Sequence, residues 1–145
     1  MAFDGIGALD GSITAIQLLD PDSTPNTVLD RNLPFAVRVA WEIHPKAAAM
    51  ALGGDWSVRA FVESVGPGPE MQLGPTVIVP VASGLVTASG KSFTAQVNVP
   101  ANTLPANAPA SGIYKLVVVV THTNFGVKTE IAGFVEGPLF EVREP

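Results

Sequence analysis

Phe35-Ala36-Val37-Arg38-Val39-Ala40-Trp41-Glu42-Ile43-His44 is the stretch on which the fold turns. Phe35, Val37, Val39, Trp41 and Ile43 share one parity, while Arg38, Glu42 and His44 take the other with two alanines. Successive side chains of a strand point to opposite faces, so this alternation predicts a strand with one dry face.

The pattern recurs outward from there. Trp56, Val58, Ala60 and Val62 alternate with Ser57, Arg59 and Glu63, and Phe93, Ala95, Val97 and Val99 alternate with Ser92, Thr94, Gln96 and Asn98. Residues 113–121 are apolar at nearly every position, which predicts a central strand covered on both faces. Weaker strands are expected at 12–19 and 76–81, with a final pair at 127–135 and 139–143. That pair is interrupted at Gly137-Pro138, where proline withholds a ladder donor. Counted as one broken strand, it brings the total to seven. Long connections fall at 21–33, 45–54, 66–75 and 100–111, and 13 prolines with 14 glycines punctuate the whole. Only 45–54, with its run of alanines, has helix-forming composition. There Met50 and Leu52 either plug the core or form a contact loop for a neighbouring subunit.

A chain of 145 residues fits a single domain, 1–145, whose core needs no staples. Residues 1–11 read as a flexible N-terminal segment. Gly5-Ile6-Gly7-Ala8-Leu9-Asp10-Gly11 is not a dinucleotide loop, because Asp10 takes the place of its third glycine. Met1-Ala2-Phe3-Asp4-Gly5-Ile6 lacks the positive charge of a secretory signal peptide. The longest apolar run, 116–120, is far below the ~20 residues of a membrane span. A cytoplasmic or particle-associated chain is the expectation.

With no cysteine, disulfides, thiolate metal sites and a cysteine nucleophile are excluded. The net charge of −5 and eight scattered Lys and Arg argue against nucleic acid. Charged residues make up 14% of the chain, against ~25% in an average soluble domain. A surface so short of charge implies a covering partner, by self-association or in a larger assembly.

No serine sits in a Gly-x-Ser-x-Gly elbow, and no catalytic residue or cofactor is expected. Asp20-Pro21-Asp22 begins like a calcium loop, but Pro25 and Arg31 stand where its glycine and glutamate belong. Asp20, Asp22, Asn26 and Asp30 could ligate calcium between strands or cap ordinary turns. Arg38, Glu42, Arg59 and Glu63 would form diagonal charge pairs if the second and third strands made a hairpin with opposed positions summing to 99.

Gly112-Ile113-Tyr114-Lys115-Leu116 resembles the tyrosine corner of immunoglobulin-like domains, with Leu116 at the place of the antibody cysteine. Tyr114 is the sole tyrosine, and Ala110 replaces the usual aspartate four residues ahead. The resemblance implies an all-β, antiparallel seven-stranded immunoglobulin-like sandwich. Its strands would be A (12–19), B (35–44), C (55–65), D (76–81), E (91–99), F (112–122) and G (127–142), with Trp56 between the sheets. It puts B and C in different sheets, against the hairpin, and it gathers His44, Asp55 and His122 at one pole. Two imidazoles and a carboxylate suit zinc or ferrous iron. This superfold hosts unrelated functions, so it names no activity.

The function expected is a non-catalytic interaction or assembly module, part of a homo-oligomer or larger particle. The alternatives are a small-ligand or carbohydrate-binding protein using Phe61 or Phe125, and a metal-dependent enzyme at His44, Asp55 and His122.

Overall fold

The computed structural model describes residues 9–144, so most of the glycine-rich N-terminal segment, residues 5–8, lies outside the described residues. Nine strands run in chain order: β1 (Asp10–Leu19), β2 (Val28–Asp30), β3 (Phe35–His44), β4 (Asp55–Ser64), β5 (Met71–Pro80), β6 (Leu85–Val86), β7 (Lys91–Val99), β8 (Ile113–Asn124) and β9 (Val127–Arg143). One short helix, α1 (Lys46–Ala51), follows β3 within the segment of helix-forming composition. The strands form two sheets, ordered β1-β3-β7-β6 and β2-β9-β8-β4-β5.

The count is therefore nine rather than seven, and the larger sheet is mixed, because β2 pairs with β9 in parallel. β2 and β6 span three and two residues, too few for alternation to register. β5 begins inside the expected 66–75 connection. Gly74 and Pro75 hide it in the sequence, yet it forms the sheet edge, where a missing donor is tolerated. It pairs with β4, so the segment expected as strand D belongs to the other sheet, and β6 takes the place beside β7. β9 runs unbroken through Gly137-Pro138, absorbed by a register shift against β8 between Lys115 and Val117.

The α1 connection carries the chain from one sheet to the other, so β3 and β4 do not pair. Arg38 faces Gln17 and Gln96 across its neighbours, while Glu63 faces Lys115. The diagonal charge pairs of a hairpin are absent from the strand register.

The inward faces of the two sheets make one core. Trp41 and Phe93 from one sheet stack at 5.5 Å and 15°, and Trp56 from the other meets them edge-on at 6.0 and 5.5 Å. Both indoles are fully buried. Edge and offset contacts of this kind add to the area that each ring removes from water.

Toward the other pole, Tyr114 is buried beside Phe140, and its hydroxyl donates to the Pro105 carbonyl at 2.6 Å. Gly112 lets the chain reach that corner. Its φ is +76°, and a Cβ there would stand 2.7 Å from the Ala106 carbonyl oxygen.

Trp41→Ala is expected to lose roughly 3–5 kcal/mol, read from the urea midpoint; an unchanged midpoint would contradict the inter-sheet cluster. Tyr114→Phe should cost about 1 kcal/mol, leaving the Pro105 carbonyl without its donor. Burial pushes the Tyr114 phenol pKa up from 10.0. The folded state thus holds that proton more tightly than the unfolded one. Its contribution is complete below about pH 10 and is lost as pH rises through the folded pKa. Absorbance titration of the single tyrosine, native against urea-unfolded, reads this directly; coincident curves would refute it.

Candidate functional site

β8 sends His122 inward with Val118 and Val120, and the ring packs edge-on against Trp56 at 5.2 Å. Its Nε2 lies 2.6 Å from the Gly53 carbonyl, which can only accept, so Nε2 carries the proton. Nδ1 lies 2.9 Å from the Thr129 hydroxyl, whose oxygen is also 3.3 Å from the His122 carbonyl. Thr129 also takes the Ile131 N–H at 3.3 Å. One imidazole thereby latches the α1–β4 connection to the β8–β9 hairpin.

The chemistry open to His122 is decided by parity. Asp55 lies opposite Thr123 on the neighbouring strand, while His122 lies opposite Trp56, so carboxylate and imidazole belong to opposite faces of the sheet. His44 ends β3 in the other sheet, opposite Asp10. Among the described residues no group of three His, Asp or Glu is placed to hold a metal ion. His44, Asp55 and His122 share a pole but are not assembled as ligands.

At the other pole, Asp20, Asp22, Asn26 and Asp30 line one cleft of about 320 Å³. Three of them are engaged in their own turns. Asp20 Oδ1 accepts the N–H of Asp22 and of Thr24, both at 3.0 Å; Asn26 Oδ1 accepts that of Val28, and Asp30 Oδ1 that of Asn32. This is the capping chemistry of Asx turns.

The apolar candidates separate. Leu52 packs against the core beside the buried Ala49, whereas Met50 stands exposed on α1. Phe61 is half-buried on β4, and Phe125 is 97% exposed at the β8–β9 turn.

The surface that sequence reasoning missed is the outer face of the five-stranded sheet. β8 is central, as expected, but only one of its faces is covered by the fold: Leu116, Val118 and Val120 are buried, while Val117, Val119 and Thr121 are half-buried. Around them the register sets Phe61 opposite Val117, Phe134 opposite Val119, and Ile78 opposite Ser57, itself opposite Thr121. Phe134 and Ile78 are 50% and 56% exposed. Arg59, opposite Val119, crosses the middle of this face with its Nε donating to Thr76 Oγ1 at 3.3 Å, and one end is charged as well. Lys115 Nζ is 2.8 Å from Glu136, which holds the ammonium pKa above its usual value, and Glu63 adds to the effect.

No helix among the described residues is long and apolar enough to cross a membrane. Neither a protein-family model nor a curated protein matches this chain.

Thr129→Val would leave His122 Nδ1 buried without a partner, and should cost roughly 1–3 kcal/mol in urea unfolding. With both ring nitrogens occupied, added zinc should leave the melting temperature unchanged. A zinc-dependent rise that His122→Ala abolishes would contradict this geometry.

Proposed function

We propose that this chain is a non-catalytic interaction or assembly module built on an immunoglobulin-like sandwich. The order β1-β3-β7 against β9-β8-β4 supports that architecture, as does the Tyr114 hydroxyl on the Pro105 carbonyl. In this reading β6 stands for strand D, β5 adds a strand beyond C, and β2 is a short parallel companion of the last strand.

One observation carries the functional reading. β8 is apolar on both faces, as strands covered on both sides are, yet the fold covers one side only. Val117, Val119, Phe61, Phe134 and Ile78 line that side around Arg59, which lies opposite Val119, and exposed apolar side chains grouped among polar ones are characteristic of a protein contact. Lys115, Glu136 and Glu63 form a polar margin to it, as interface rims do. Met50 is a second exposed apolar position, at the α1 pole.

Phe134→Glu should weaken association with the partner while changing stability by no more than about 0.5 kcal/mol, since the side chain is half in water already. Light scattering with size-exclusion chromatography reads the association, and far-ultraviolet dichroism reads the fold. Association indifferent to both Phe134→Glu and Val119→Lys would remove this face from the interface.

A further inference from the structure

The two ends of β8 carry features that fit each other and cannot meet within one molecule. At its C-terminal end Asn124 pairs with Val127, so Phe125-Gly126 is a two-residue hairpin turn. Both residues have positive φ, 51° and 75°, as the type I′ turn requires. Asparagine, aspartate or glycine ordinarily takes the first place, because a bulky side chain is strained there. Phe125 takes it here and is 97% exposed, with Val127 67% exposed beside it. The ring buries almost nothing in its own fold. A strained backbone that holds an aromatic side chain in water points to a contact made outside the chain.

Before the N-terminal end of β8 lies a cleft of about 410 Å³, lined by Pro67, Pro69, Pro105, Ala108, Pro109 and Ala110, with Arg31, Gly68 and Asn107 completing the wall. A cavity of about 150 Å³ already accepts a benzene ring, so a phenyl group with part of its turn fits. The walls are pinned in advance. Ser111 N–H donates to the Pro67 carbonyl at 2.7 Å, Ser64 Oγ donates to the same oxygen at 2.9 Å, and Tyr114 holds the Pro105 carbonyl. Rigid rings and fixed loops reduce the ordering lost on binding. In the sequence Lys128 follows the finger and Glu70 follows Pro69, opposite charges flanking the two features, while the charged residue of the cleft wall itself is Arg31. Arg31 is matched within its own molecule by Glu144 at 3.4 Å.

We propose that copies of this chain join head to tail, the Phe125 finger of one seated in the proline-lined cleft of the next. This deepens the assembly reading and rests on it. The 12 residues of β8 hold finger and cleft roughly 40 Å apart, so one molecule cannot satisfy itself. A contact between two different patches is heterologous and propagates into strings or rings.

Sedimentation velocity at rising concentration is expected to show wild-type species that grow beyond a dimer. Phe125→Asn restores the ordinary residue of this turn, so it should keep or raise the melting temperature while weakening association roughly 30-fold, as loss of a central anchor does. Ala108→Glu, at an exposed wall position, should do the same from the cleft side with unchanged dichroism. Each variant keeps the half that the other lacks, so with Phe134→Glu added to both to silence the sheet face, their mixture should form a 1:1 dimer and nothing larger. Wild-type association retained by Phe125→Asn, or a mixture that stays monomeric, overturns the head-to-tail contact and leaves the assembly reading standing. A wild-type chain monomeric at every concentration overturns both.

Discussion

The two sheets are joined through a knot of aromatic rings at one level of the core. Trp41 and Phe93 come from one sheet and Trp56 from the other, each touching a ring across the gap, and His122 packs against Trp56 within its own sheet. Those contacts set the spacing and angle at which the remaining valines interdigitate. His122 extends the constraint outward, since its two nitrogens fix Gly53 before β4 and Thr129 on β9. Gly54 permits the approach; a Cβ there would lie 2.2 Å from the Thr123 carbonyl oxygen.

A consequence of this arrangement is that histidine here is structural chemistry. A ring buried among aromatics with both nitrogens hydrogen-bonded is satisfied within the fold. A coordinate bond would require breaking one of those hydrogen bonds in a site closed to water. The same logic applies to the aspartates of the 20–33 connection, whose oxygens cap the turns that return the chain to β3. His122, Asp20, Asn26 and Asp30, which have the chemistry of ligands, are in this fold holding loops in place.

Some large apolar side chains remain on the surface. β8 divides its residues between the aromatic core and an outer face that no other described residues cover, and Phe125 projects beyond its end. One strand therefore supplies the core, an open apolar face and the exposed tip.

The strands with strict alternation were legible in the residues themselves: β3 matches its expected bounds, and β4 and β7 match to within a residue, because period-two burial is a local property of the chain. The inward ring of Trp41 and the corner hydroxyl of Tyr114 follow from parity and from one five-residue motif. β2 and β6 were not legible, being too short to show a period, and β5 was masked by a glycine and a proline that only an edge position accommodates. Nor could the sequence show that Asp55 and His122, neighbours in register, fall on opposite faces of the sheet, since that depends on which residues the strands set side by side. The apolar run at 113–121 determined that two coverings are needed. Only the tertiary structure decided that the described residues cover one face of it, because packing a second layer depends on where distant segments end up.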